Sequence, residues 1–111
     1  LYEEDTESIA FAQEHKEKPA VYFYNPNLTW MIWDDSLELI QYDEIYFASL
    51  ADVSTVEDDT IRQADQVLVY VSRMEQTEEA LQAVADGMGG DVKMEKIREL
   101  LYCDLYLIAR K

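Results

Sequence analysis

Gln66-Val67-Leu68-Val69-Tyr70-Val71-Ser72 is the stretch on which the fold turns. Its five consecutive apolar residues show no polar alternation, so the strand they form must be covered on both faces. Such a strand belongs in the middle of a sheet. Two shorter runs of the same character lie upstream, Ala20 to Tyr24 and Glu44 to Ala48. Each of the three is entered from a polar segment, containing Lys18-Pro19, Tyr42-Asp43 or Ala64-Asp65, and is followed by a polar turn and a helix-patterned segment. That cadence predicts a Rossmann-like, three-layer α/β domain with a mainly parallel sheet, its strands near 20–24, 44–48 and 66–71.

The segments between these strands read as helices. Asp5 and Thr6 can cap a first one, whose apolar side is Ile9, Phe11 and Ala12, and Pro19 ends it. After the first strand, Asn25-Pro26-Asn27 is a turn with an N-cap in Asn27, and Leu28, Met31, Ile32, Leu37 and Ile40 form a helical stripe reaching Gln41. A short helix over 58–64 takes its cap from Thr55, Asp58 or Asp59. The segment 75–88 is helical with Ala80, Leu81, Val84 and Ala85 facing inward, and Gly87, Gly89 and Gly90 terminate it. Val92 to Leu100 fits either a helix or a strand. Leu101 to Ala109 reads as a strand, with Leu105, Leu107 and Ala109 on one face and Tyr106 and Ile108 on the other. The expectation is an antiparallel hairpin, its C-terminal strand near 101–109 forming the sheet edge.

Composition narrows the classes of function. At 111 residues and 49% hydrophobic content, positions 1–111 make one domain able to build a core without disulfide or metal staples. Nine basic against 24 acidic residues give a net charge of −15. Nucleic acid as a partner is excluded on that balance, and an anionic membrane surface is disfavoured, because both require excess Lys and Arg. Solubility is the plain consequence of the charge, while capture of a basic protein partner stays open. The single cysteine, Cys103, lies within an apolar run and reads as a buried small hydrophobe. No apolar run reaches the ~20 residues of a membrane span, and no signal peptide is visible. A chain starting at Leu1 reads as a piece of a larger protein, with the compartment open.

In an open α/β sheet, ligands bind beyond the carboxyl ends of the strands, near the point where strand order reverses. Candidate ligand-binding residues there are Asn25, Asn27 and Trp30 after the first strand, Ser49 and Asp52 after the second, and Ser72 and Arg73 after the third. The competing reading is that Asn25, Asn27, Ser49 and Ser72 serve turns and helix starts. A dinucleotide site needs glycines in the first turn, but that turn is Asn25-Pro26-Asn27. The glycines of Asp86-Gly87-Met88-Gly89-Gly90-Asp91 follow a helix rather than open one, so no cofactor is expected. No metal is expected either. His15 stands alone on a surface-patterned helix, and Asp34-Asp35 and Glu57-Asp58-Asp59 lack calcium-loop spacing. With one histidine the usual nucleophile–base arrangement cannot be assembled, and no residue reads as catalytic. Trp30 and Trp33, three apart, either pack on the sheet or present an aromatic platform to a glycan or a neighbouring domain.

The stretch Lys18-Pro19-Ala20-Val21-Tyr22-Phe23-Tyr24-Asn25, then Trp30, Trp33-Asp34-Asp35 and Asp43-Glu44-Ile45-Tyr46-Phe47, carries a resemblance, extended by Ala64 to Ser72 and by Tyr102 and Tyr106. Together these resemble the soluble tail domain of bacterial multi-pass membrane proteins similar to the family 39, dolichyl-phosphate-mannose-dependent glycosyltransferases. In such proteins the catalytic carboxylates belong to the membrane-embedded part and the α/β tail lies outside the cytoplasm. The resemblance therefore implies a noncatalytic extracytoplasmic accessory domain that positions a substrate or contacts the membrane-embedded part of its own parent chain, with a glycan or lipid-linked sugar as a further partner. Two alternatives stand beside it. One is a small ligand-binding or enzyme domain using the strand-end crevice, and the other is an acidic protein-binding module.

Overall fold

The computed structural model describes residues 6–23, 42, 45–49, 57–72, 77–100 and 103–111. Within them the order is α1 (Thr6–His15), β1 (Ala20–Phe23), β2 (Ile45–Ala48), α2 (Asp59–Gln63), β3 (Gln66–Ser72), α3 (Thr77–Gly87), β4 (Val92–Glu99) and β5 (Cys103–Arg110). The five strands form one sheet in the order β2-β1-β3-β5-β4. The protein is thus an α/β domain with a mixed sheet. The helix expected over 28–41, Tyr24, Glu44 and the Asp34-Asp35 pair lie outside the described residues.

β3 holds the central place that its sequence demands. β1 pairs with it in parallel on one side, Tyr22 opposite Tyr70, and β5 runs antiparallel on the other, Tyr70 opposite Leu105. β2 extends the parallel half through Tyr22–Phe47, and β4 pairs antiparallel with β5. Two of the four strand pairings are therefore antiparallel, which corrects the mainly parallel sheet expected from the three βα runs. The ambiguous segment after α3 is a strand, and it takes the edge that the sequence reading assigned to 101–109. The reason is burial: on β5, Cys103, Leu105 and Ile108 are wholly buried, whereas Lys93, Met94, Glu95 and Lys96 of β4 are exposed. A strand apolar on both faces goes inside and a charged one goes outside.

Helices cover both faces of the sheet. On one, Ile61 of α2 and Ala80, Leu81, Val84 and Ala85 of α3 pack with Val21, Phe23, Val67, Val69, Val71 and Ile108. On the other, Phe11 of α1 packs against Ala20, Tyr22, Leu68, Tyr70 and Leu105, together with Tyr42 and Cys103. Tyr42 is 6% exposed, so the segment read as a polar strand entry supplies a core residue.

Local chemistry sets the helix ends. Asp58 is the N-cap of α2, its carboxylate accepting from the Thr60 amide at 2.8 Å. α3 opens with Glu78 and Glu79 at the positive end of its dipole and closes where Gly89 and Gly90 take φ of 99° and 89°. Gly90 donates to the Ala85 carbonyl at 2.8 Å, completing the C-cap. Arg110, at the end of β5, ties both helix ends to the sheet. Its Nε donates to the Ala64 carbonyl at 2.8 Å, and its two terminal nitrogens donate to the carbonyls of Met88 and Arg62. The guanidinium thus caps the negative ends of α2 and α3 together.

Candidate functional site

The sheet reverses its strand order at β1, which has β2 on one side and the later β3 on the other. The carboxyl ends of β1 and β3 flank this switch point, where a ligand of an open α/β sheet is expected. Ser72 closes β3 and Ser49 follows β2; they are 6% and 3% exposed. Strand alternation puts both on the face that carries Tyr22 and Tyr70, and two strand spacings separate them by about 10 Å. Cys103 stands opposite Ser72 in the register, fully buried. Small side chains with two hydroxyls and a thiol therefore line this end of the face. Of the other residues picked out in the sequence, Asn25, Asn27, Trp30, Asp52 and Arg73 lie outside the described residues.

One step below these small residues runs a row of aromatic rings. Phe47, Tyr22 and Tyr70 occupy the same level of β2, β1 and β3. The Tyr22 and Tyr70 rings are near parallel, at 6.1 Å and 4°, and Phe47 lies 6.1 Å from Tyr22. Tyr42 meets Tyr70 edge-on at 6.0 Å, and the Tyr70 hydroxyl donates to that of Tyr42 at 3.0 Å. Tyr22 and Tyr70 are buried, but Phe47 is 49% exposed, so the row opens to solvent at the β2 edge. At the other end the same level passes through Leu105 to Arg98, whose guanidinium lies 4.6 Å over the Phe11 ring. His15 stacks on Phe11 at 4.0 Å and its Nδ1 donates to the Phe11 carbonyl at 2.8 Å. The histidine read as solitary is thus held by its own helix.

At the hairpin, Lys96 meets Glu99 at 2.9 Å and Asp104 at 3.8 Å. The hydrogen bond that Lys96 donates to Glu99 and the charge of Asp104 raise the Lys96 pKa above the ordinary lysine value of 10.5. An amine held as a cation binds anions and is a poor nucleophile. Cys103, with no exposed surface, is equally unsuited to attack an external substrate. Among the described residues no three His, Cys, Asp or Glu side chains are placed to hold a metal ion. On this face the described residues bring together a row of rings, with Ser49, Ser72 and Cys103 buried at its end.

Tyr42, Phe47, Phe11 and Arg98 escaped the sequence reading as site residues. Alternation alone could have put Phe47 and Tyr22 on one kind of face, but their meeting at one level depends on strand register.

No protein-family model matches the chain, and no curated protein matches it. Among solved structures the chain is similar to a release-factor-specific protein-(glutamine-N5) methyltransferase from Alicyclobacillus acidocaldarius, at 9% identity and a TM-score of 0.36, over 96% of this chain and 89% of that one. At that TM-score the likeness carries no argument about this chain.

Proposed function

We propose that this chain is a Rossmann-like recognition domain without catalysis of its own, the extracytoplasmic part of a membrane-anchored bacterial protein of the glycosyltransferase kind. Its partner is the membrane-embedded part of the parent chain, with a lipid-linked sugar as the ligand brought between them. Phe47 is the observation that carries the recognition role: a large aromatic, 49% exposed, continuous with buried Tyr22 and Tyr70. An aromatic anchored on a rigid strand presents contact area at little entropic cost, which is how interaction hot spots are built. No described helix is long and apolar enough to cross a membrane.

The test is a photo-crosslinking amino acid at position 47 in the membrane-anchored parent, irradiated in native membranes. Adducts to the parent's membrane-embedded segments or to a lipid-linked sugar support the proposal. Crosslinking no stronger than from an exposed control site, Lys16, refutes it.

A second reading, a small-ligand site beyond the strand ends, rests on Ser72 at the end of β3 beside the switch point and Ser49 after β2, both buried on one face. Under that reading Ser72→Val abolishes binding of the ligand while Phe47→Ala leaves it unchanged.

A further inference from the structure

Charge is divided unevenly along the chain. Residues 1–90 hold 20 acidic and four basic side chains, whereas residues 91–111 hold four acidic and five basic ones. The β4–β5 hairpin is therefore the near-neutral part of a strongly acidic molecule, and β4 is its outer strand. Lys93, Met94, Glu95 and Lys96 are all exposed, Met94 at 45%.

We propose that the outer edge of β4 pairs with the same edge of a second copy of this chain, antiparallel about a two-fold axis through Met94. Backbone geometry limits the registers. Facing residues of an antiparallel pair must direct their backbone groups to the same side, so in two identical strands the axis passes through a residue. Through Lys93, Glu95 or Lys96 it would set that charge against its own copy, an unfavourable direct opposition. Through Met94 it sets Met94 against Met94 and Lys93 against Glu95 twice, once on each side of the axis. Val92, itself buried in the core, then faces Lys96, which sets no like charges in opposition. The register shift between Lys96 and Arg98 ends the regular segment, confining the pairing to 92–96. The other outer strand, β2, is entered through Asp43-Glu44 within the acidic part of the chain, where two copies repel. Edge lysines ordinarily keep foreign strands away. Here Glu95 makes the edge complementary to itself, the condition for a symmetric interface.

Sedimentation of the 111-residue chain from about 10 μM to about 1 mM tests this. A reversible dimer is expected. Glu95→Lys and Lys93→Glu should each weaken it by at least about tenfold, and the double variant K93E/E95K should restore it. Glu95→Lys is the sharper arm, because it reduces the net negative charge and would strengthen an association limited by overall repulsion. Both side chains are exposed, and circular dichroism verifies that each variant is folded. A monomer throughout the range, a dimer indifferent to Glu95→Lys, or a double variant that fails to recover overturns the proposal.

Discussion

Tyr70 shows how much of this fold is decided by single side chains. Its ring is wholly buried between Tyr22 and Tyr42, and its hydroxyl donates to that of Tyr42. Tyr42→Phe removes that bond and keeps the edge-on ring contact, so chemical denaturation should show a loss of about 1 kcal/mol. Arg110 has a larger role, since three guanidinium nitrogens satisfy carbonyls at the ends of two helices. Arg110→Ala should cost about 2–3 kcal/mol, and Arg110→Lys should recover only part, because an ammonium cannot span the three acceptors. Lys96 gives a pH signature. Its folded pKa is raised, first by the Glu99 hydrogen bond and then by Asp104, so the associated stability is present below the ordinary lysine pKa and lost as pH rises through the folded value above 10.5. An NMR titration of the Lys96 side chain should show that value falling toward 10.5 in Glu99→Gln, and stability near neutrality should show no slope from this group.

At the scale of elements, sequence pattern served best where a segment's neighbours are local. The three apolar runs, the inward face of α3 and the glycine stop after it all follow from period and turn chemistry, and the structure has them at β1, β2, β3 and Thr77–Gly87. Asp58 resolved the choice among three caps for α2. Asp58→Ala should cost about 1 kcal/mol, measurable by thermal or denaturant unfolding. The C-terminal hairpin was less legible, because which of two neighbouring strands faces the sheet is a property of their partners. The information was nevertheless present: β5 is apolar on both faces, and Lys93 to Glu99 has charges on both, which suits an edge. Of the candidate site, Ser49 and Ser72 were legible from strand ends alone. The aromatic row was not, since it arises from lateral register between β2, β1 and β3, and Tyr42 reaches Tyr70 across 28 positions of sequence.

For the whole molecule, charge and architecture pull in opposite directions. A net charge of −15 on 111 residues works against compactness, while helices on both faces of the sheet build two separate hydrophobic clusters. Unfolding temperature should therefore rise between ionic strengths of about 0.01 M and about 0.3 M as repulsion is screened. The architecture keeps Tyr22, Tyr42 and Tyr70 inside and leaves one ring of the row, Phe47, half outside. Recognition through that ring is measurable by fluorine NMR of 4-fluorophenylalanine at position 47. In the isolated chain the signal should respond to exchange of water for deuterium oxide, and in the membrane-anchored parent it should shift and lose that response. The same chemical shift and the same solvent response in both would contradict it.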